Sequence, residues 1–531
     1  MALAFFCAIY YNVSNNKKED NMKKLLSLTL VIAMLALSLF SCSTDGSGDD
    51  ATSTTAPNET SAPALTDPPV TEPPVTEYVE PYSVPEAEMN YDGYQFSILT
   101  AGNVAFNDFD FQEDSGVVLD NAQYIRKTTV EQKLDIIIEQ TKDENKSSFG
   151  NGPGFKRISN AVSANECIFD LGLIGTYDST QLAVNQCLAD FRSIKYIDLE
   201  RSWWDQDANN DLSINGLLFL TTGDITVSNN NQTFTLIFNK TLAKETKIED
   251  PYTLVKEGKW TYDKLQQMVK TVSEDINGDD IMDMRDKYGM IVWDDSVMAA
   301  VNSAGQRCCT IDSNGQITLT LNTEATVNVL NEWFEMTYDK NTAIYNQRHS
   351  ANNATHGNAS KMWEEDRALF RNFLIENVHD LREIESDFGI LPYPKLAEEQ
   401  SRYYSTLAPY NGQFLCVPAV QNDMDMLGAV TEALAYYGKQ IVRPAFYEKT
   451  LFGGVFRDEE SKDMLDIMFN SYIYDFGWYC QIGEYNSVLI KMVRAYETDF
   501  VSKYTAKERA ANVKVKTVNK EFEELAQMWG K

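Results

Sequence analysis

The sequence predicts an α/β protein of two lobes, the second lobe rich in helix. Three observations carry this: a strand–helix–strand opening to the body, a change to helix-rich texture near residue 240, and a late return to short strands beside prolines. At 531 residues the chain exceeds the roughly 250–300 at which a single hydrophobic core stops growing, so at least two lobes are expected.

The body opens at Tyr94 to Thr100, YQFSILT, which alternates like a strand and ends at Ala101-Gly102-Asn103, where a loop must begin. In 119–134 the residues Leu119, Ala122, Ile125, Val130 and Leu134 fall largely at helical spacings, and Ile136-Ile137-Ile138 reads as a second buried strand. Strand, helix, strand implies a parallel sheet. A third strand, FDLGLI at 169–174, runs into Gly175-Thr176-Tyr177, and in open parallel sheets ligands sit beyond the carboxyl ends of strands. Leu217 to Thr222 and Thr233 to Phe238 (TFTLIF) read as further strands, separated by the polar turn 228–231. From Lys240 to about Phe388 the pattern becomes mostly helical: KLQQMVKTV after Trp260-Thr261, an amphipathic stretch from Thr323 to Tyr338, and a helix over Lys361 to Asn377. Short strands at Phe388–Leu391 and Gln413–Val417, each followed by proline, then lead to a helix over Gly428–Tyr437. The boundaries expected are 87–236 for lobe 1, 237–390 for lobe 2, 391–445 for the return to lobe 1, and 446–531 for a C-terminal helical segment across both.

The N-terminal region has a different character. Met22-Lys23-Lys24 and the mostly apolar run Leu25 to Phe40 form a secretory signal, so 1–41 reads as an export segment, with Met22 a second candidate start. The signal ends in Leu39-Phe40-Ser41-Cys42, which resembles the bacterial lipobox and implies lipidation of Cys42. Residues 42–86 hold eight of the fifteen prolines among Ser, Thr, Asp and Glu, a composition that cannot bury enough apolar surface to order itself and so reads as a disordered tether. The expected location is extracytoplasmic, held to a membrane by lipid. A formal net charge of −32 disfavours nucleic acid as a partner, because a polyanion binder needs clustered Lys and Arg. Cys167, Cys187, Cys308, Cys309, Cys416 and Cys480 show no CxxC spacing and indicate no zinc site; their pairing is not deducible from sequence.

Taken in order, LTAGN after the first strand, FDLGLI, TLIFNK, EGKWTYDKL, FGILPYPK and YNGQFLCVPA resemble the extracellular solute-binding proteins of carbohydrate ABC transporters, the broad family that includes maltose-binding protein. The resemblance covers about 91–530. It implies a two-lobed, type II periplasmic-binding-protein-like fold, hinge closure on one sugar, an ABC permease as partner, and a monomer without catalytic activity. Chain crossings between lobes are expected near Phe234–Lys240 and Phe388–Pro394.

Sugars present apolar C–H faces edged by hydroxyls, so their receptors need aromatic platforms and planar polar groups. Among residues in or beside expected loops, the platform candidates are Tyr177, Trp203, Trp204, Trp293, Tyr410 and Trp478. The polar candidates are Asn103, Asp224, Asp294, Asp295 and Asn411. Trp260, just before a helix N-cap, reads as a hydrophobic staple, and Trp333 and Trp363 as helix-face core.

Oxygen-bearing side chains recur on alternate residues in the stretch from Asp275 to Asp286, as in EF-hand and dockerin calcium loops. Asp275, Asn277, Asp279, Asp283 and Asp286 would supply side chains and Ile281 its backbone carbonyl to a structural calcium. Asp280 stands where such loops usually carry glycine, and Asp286 replaces the bidentate glutamate.

A surface receptor or chemosensor without import, and a glycoside hydrolase using two facing carboxylates, are the alternatives. GxSxG, HExxH, P-loop and GxGxxG signatures are absent, and His349, His356 and His379 lack metal spacing, so no cofactor and no catalytic residue is expected.

Overall fold

The computed structural model describes residues 80–144, 149–348, 355–378, 381, 384–452 and 458–530. The export segment, Cys42 and most of the tether, with His349 and His379, lie outside those residues.

In chain order the strands are β1 (Tyr94–Gly102), β2 (Ile136–Glu144), β3 (Leu171–Gly175), β4 (Phe234–Asn239), β5 (Tyr288–Val292), β6 (Cys309–Ile311), β7 (Ile317–Leu319), β8 (Ala343–Tyr345), β9 (Ala368–Leu374), β10 (Phe388–Leu391), β11 (Ser405–Thr406), β12 (Gln413–Cys416) and β13 (Tyr472–Ile473). The first sheet has the order β12-β3-β1-β2, with β1 parallel to β2 and β3, and β12 antiparallel to β3. Its parallel part is the expected strand–helix–strand unit: Val118–Leu134 is the crossover helix, stopped at Asp135 by a left-handed backbone. The second sheet has the order β10-β4-β9-β5-β8, with β4 antiparallel to both its neighbours and β5 parallel to β8 and β9.

Two elements differ from the sequence-based expectation. The stretch 361–377 is not one helix: a helix spans Thr355–Glu364, and Ala368–Leu374 is β9, at the centre of the second sheet and buried at all seven positions. Its polar members deceive a pattern reading because each finds a contact inside: Asn372 donates to the Tyr393 hydroxyl at 2.8 Å, and the Arg371 guanidinium lies 4.0 Å from the Phe373 ring centroid. The run 217–222 is drawn not as a strand but as a loop with isolated bridges, Ile214 to Leu217 and Thr221 to Leu415.

Trp260, Trp333 and Trp363 are fully buried. Trp260 precedes the N-cap Thr261, whose side chain accepts from Lys264 N–H, and its indole N–H donates to the Pro392 carbonyl at 3.0 Å. The helix Phe500–Met528 runs along the body and buries one stripe, from Phe500 through Val515 to Leu525. The last residues of the expected tether are docked: Tyr82 stacks on Tyr436 at 4.2 Å, and Glu86 pairs with Lys133 at 2.7 Å. Tyr82 and Val84 pack against the core of the body.

Candidate functional site

Register places the site. Gln413 at the start of β12 is level with Gly175 at the carboxyl end of β3, and Phe234 at the start of β4 is level with Leu374 at the carboxyl end of β9. The segments that lead into β4 and β12 therefore leave from the edge where parallel strands of both sheets end. Main-chain contacts hold them together: Ala408 N–H donates to the Gln232 carbonyl at 2.9 Å, and Thr233 bridges Leu407. Gly102 and Gly175, ending β1 and β3, approach so closely that a Cβ on either would lie 3.2 Å from the other's Cα, a tight contact that favours glycine at this corner.

A cavity of about 300 Å³ opens at this edge, walled by Phe149, Tyr177, Phe234, Asp295, Tyr410 and Arg494, with Asn486 and Lys491 completing it. Phe149 sits 5.5 Å from Tyr177 and 5.4 Å from Tyr410 between ring centroids, so three aromatic rings gather on one wall. Thr176 and Asn103 fix the Tyr410 loop: the Thr176 hydroxyl donates to the Pro409 carbonyl, and Asn103 Nδ2 donates to the Tyr410 carbonyl at 2.5 Å. Asn486 Nδ2 donates to the Tyr177 hydroxyl at 3.2 Å. Burial raises the Tyr177 phenol above its ordinary range, so this hydroxyl stays protonated and available to donate.

The opposite wall is polar. Asp295 follows β5, and burial pushes its carboxyl up to about 6, against the pull of Arg494 and with a smaller push from Asp294. Arg494 Nε donates to Asp294 Oδ2 at 2.7 Å, while the buried Asp294 Oδ1 has no partner. Aromatic faces opposite a carboxylate and a guanidinium suit a ligand with apolar faces and hydroxyl edges.

The eleven ligand candidates from sequence divide, Asp294 being the partner of Arg494. Tyr177, Asp295 and Tyr410 line this cavity, and Asn103 positions Tyr410 from behind. Trp203, Trp204 and Asp224 line a separate cavity of about 380 Å³. Trp293 follows β5, half-buried against the core; Asn411 occupies the turn before β12, its backbone N–H donating to the Ala408 carbonyl at 3.1 Å. Trp478 is buried, its indole N–H donating to Asn302 Oδ1 at 3.3 Å, and like Trp293 and Asn411 lines neither cavity. Sequence reasoning missed Phe149, Asn486, Lys491 and Arg494. Phe149 carried a usable signal, an aromatic in the Gly-rich stretch after a strand; the other three sit on the helix Tyr485–Ala495, far from any strand end in sequence.

The loop from Asp275 to Asp286 turns as a calcium loop does, with Asp280 in the left-handed region at φ 58°, where such loops carry glycine. Its donors are otherwise engaged. Asp275 accepts from the Gly278 and Asp280 amides, Asn277 from Asp279, Asp279 from Ile281, and Asp286 from Ile276 and Asp283. The Arg285 guanidinium bridges Asp279 at 2.9 Å and Asp283 at 2.6 Å, placing a positive charge where the expectation put a metal. Among the described residues no group of three or more His, Cys, Asp or Glu side chains is arranged to hold a metal ion. The cysteines described are all free thiols.

No protein-family model and no curated protein matches the sequence. Solved structures do resemble it. The galacto-N-biose/lacto-N-biose I-binding protein of an ABC transporter from Bifidobacterium longum, solved with lacto-N-biose, is 12% identical with a TM-score of 0.51, over 81% of this chain and 98% of its own. UspC of M. tuberculosis is 12% identical with a TM-score of 0.50, over 79% of this chain and 100% of its own. At this identity the likeness carries the fold, a two-lobed, type II periplasmic-binding-protein-like architecture. No described helix is long and apolar enough to cross a membrane.

Proposed function

We propose that the protein is an extracytoplasmic solute-binding protein that captures a sugar or oligosaccharide by hinge closure and delivers it to an ABC permease, anchored through a lipid on Cys42. The observation that carries this reading is the convergence, where strands of both sheets end, of three aromatic rings facing Asp295 and Arg494. Tyr177, Tyr410 and Phe149 would cover sugar faces, while Asp295 and Arg494 would take hydroxyl edges from the other side. A ligand touching both walls stabilises the closed form by its differential affinity for it, and the closed form is what a permease would recognise. Lobe 1 is taken as 87–236 with 391–445, lobe 2 as 237–390, with 446–531 packed across them; the membership of β1–β3 and β12 in one sheet and of β4, β5 and β8–β10 in the other supports this division.

The test is a thermal-shift screen of the purified protein over sugars, amino acids, peptides and polyamines. At ligand a hundred times its dissociation constant, linkage adds about 2.7 kcal/mol of stability. A sugar hit that Tyr410→Ala removes supports the reading; hits confined to peptides or amino acids overturn the carbohydrate assignment.

A further inference from the structure

The cavity of about 380 Å³ that holds Trp203, Trp204 and Asp224 is distinct from the cleft and belongs to the crossing segments. Two loops zip together to floor it: Asp205 N–H donates to the Thr222 carbonyl at 3.0 Å, Asp224 N–H to the Trp203 carbonyl at 2.8 Å, and Trp204 bridges Gly223. A Cβ on Gly223 would fall 2.2 Å from the Trp203 carbonyl oxygen, so the floor admits only glycine there. From behind, the buried Glu432 accepts both indole N–H groups, from Trp203 at 3.0 Å and from Trp204 at 2.9 Å. The floor is built and stiff.

The remaining walls come from the hinge. Asn229, nearly fully buried, donates to the Gln413 carbonyl at 2.9 Å and accepts from Gln413 N–H at 3.1 Å, tying the segment before β4 to β12. Tyr472 of β13 reaches Thr233 at 2.5 Å, just ahead of β4.

Most charged groups in this cavity are already partnered, two of the three aspartates by arginine and Asp205 by neutral donors alone. Asp207 pairs with Arg402 at 3.0 Å and Asp224 with Arg443 at 3.4 Å, while Asp205 accepts from the Tyr474 hydroxyl at 2.7 Å and from Ala208 N–H at 2.9 Å. A charged occupant would have to break one of these pairs and leave a half-buried ion behind. Neutral capacity is what stays open: the side-chain amide of Asn230 has no partner among the described residues, and the rings of Tyr447 and Phe469 join the wall. The volume falls at the small end of ligand sites, which run from about 300 to 1,000 Å³.

We propose that this cavity is a second binding site, for a neutral polyhydroxylated molecule of monosaccharide to disaccharide size. Because Asn229 and Tyr472 line it, its occupant touches the segments that carry the hinge. The proposal does not depend on what the cleft binds.

The experiment uses neutral monosaccharides and disaccharides at millimolar concentration on four proteins: the wild type, Tyr410→Ala in the cleft, Asn230→Trp, which fills the second cavity from a half-exposed position, and the double variant Tyr410→Ala with Asn230→Trp. At least one sugar is expected to bind Tyr410→Ala, with affinity weakened at least tenfold by Asn230→Trp as read by titration calorimetry. If Asn230→Trp lowers the melting point of the sugar-free protein, Asn470→Trp at the exposed rim replaces it. The proposal is overturned if no sugar gives a signal that filling the cavity removes. It is likewise overturned if the binding left in Tyr410→Ala is unchanged by both tryptophan variants. Failure of the cleft reading shows separately, as an absence of any sugar whose binding depends on Tyr410.

Discussion

Asp295→Asn tests the polar wall of the cleft through its pH dependence. The Asp295 carboxyl is pushed up to about 6, first by burial, with Arg494 opposing and Asp294 adding a smaller push. In the empty cleft the sign is that of a raised carboxyl. The stability it confers is present at low pH and is lost as pH rises through about 6, because the fold favours the protonated form. Ligand binding runs the other way, since an ionised carboxylate accepts hydroxyl hydrogen bonds more strongly than a protonated one. If the sugar binds the ionised form, apparent affinity scales with the ionised fraction. It then rises about tenfold between pH 5 and pH 7, or roughly 1.4 kcal/mol. Burial keeps Tyr177 and Tyr410, which face Asp295, protonated throughout that window. Calorimetric titration of the sugar found in the screen, at pH 5, 6 and 7, should show this slope in the wild type. In Asp295→Asn the slope should flatten, with binding at pH 7 weaker by roughly 10- to 100-fold, the range for losing a hydrogen bond to a charged group. Equal pH slopes in the two proteins would refute the assignment of Asp295 to the ligand.

Tyr410→Ala should weaken sugar binding by about 5- to 30-fold, from the loss of one aromatic face worth roughly 1–2 kcal/mol, with little change in melting temperature because the ring is only half-buried; a large stability loss would place Tyr410 in the core instead. Burial lifts the Glu432 carboxyl to about 7 against the indole hydrogen bonds of Trp204 and Trp203 and the Asp198 amide, so wild-type stability should fall by about 1.4 kcal/mol more than that of Glu432→Gln between pH 6 and pH 8. Urea melts at the two pH values measure this, and equal losses would exclude Glu432 as the titrating group. Because Arg285 occupies the carboxylates of Asp279 and Asp283, millimolar calcium should raise the melting temperature of Arg285→Ala by more than that of the wild type; matching responses would show that the guanidinium and the metal do not compete.

The first sheet was readable because its strands open on or contain apolar runs, β1 and β3 ending at glycine, and β1, β2, β3 and β12 stand close to where that pattern puts them. The centre of the second sheet was not: ALFRNFL carries Arg371 and Asn372 in its middle, made acceptable in a buried strand by the neighbouring Phe373 ring and by the Tyr393 hydroxyl. The site was half legible for a related reason. Loops after β3 and β5 announce Tyr177 and Asp295, but the helix Tyr485–Ala495 brings Asn486 and Arg494 from a region with no strand-end signal. Tryptophans misdirect most. Trp203, Trp260, Trp333, Trp363 and Trp478 are fully buried, since an indole buries 150–250 Å² and the core rewards that more than a wet platform does; in Trp203, Trp260 and Trp478 the N–H also finds an acceptor, Glu432, Pro392 and Asn302. Tyrosine, with a polar tip, is easier to leave at a rim.

If the protein closes on a sugar as proposed, the arrangement at the crossings constrains where the energy of closure can come from. Asn103 and Thr176 already hold the Tyr410 loop to the edge of the first sheet, so that wall is formed before any ligand arrives. Asn486, on a helix packed against Ser296–Ser303 after β5, already donates to Tyr177 across the cleft. A sugar entering between these walls exchanges that hydrogen bond for its own, and uniform contact with the aromatic rings shifts no equilibrium, however tightly it binds. Under the proposed closure, the differential affinity would lie with Asp295, which follows β5 of the second sheet, and with Arg494 on the helix Tyr485–Ala495. Of these, Arg494 is held by Asp294, whose second oxygen lies buried without a partner, so the guanidinium is fixed in place before it meets a hydroxyl. Asp295 bears a charge that burial disfavours in the empty cleft, and ligand hydrogen bonds to that charge repay most where water is most fully excluded.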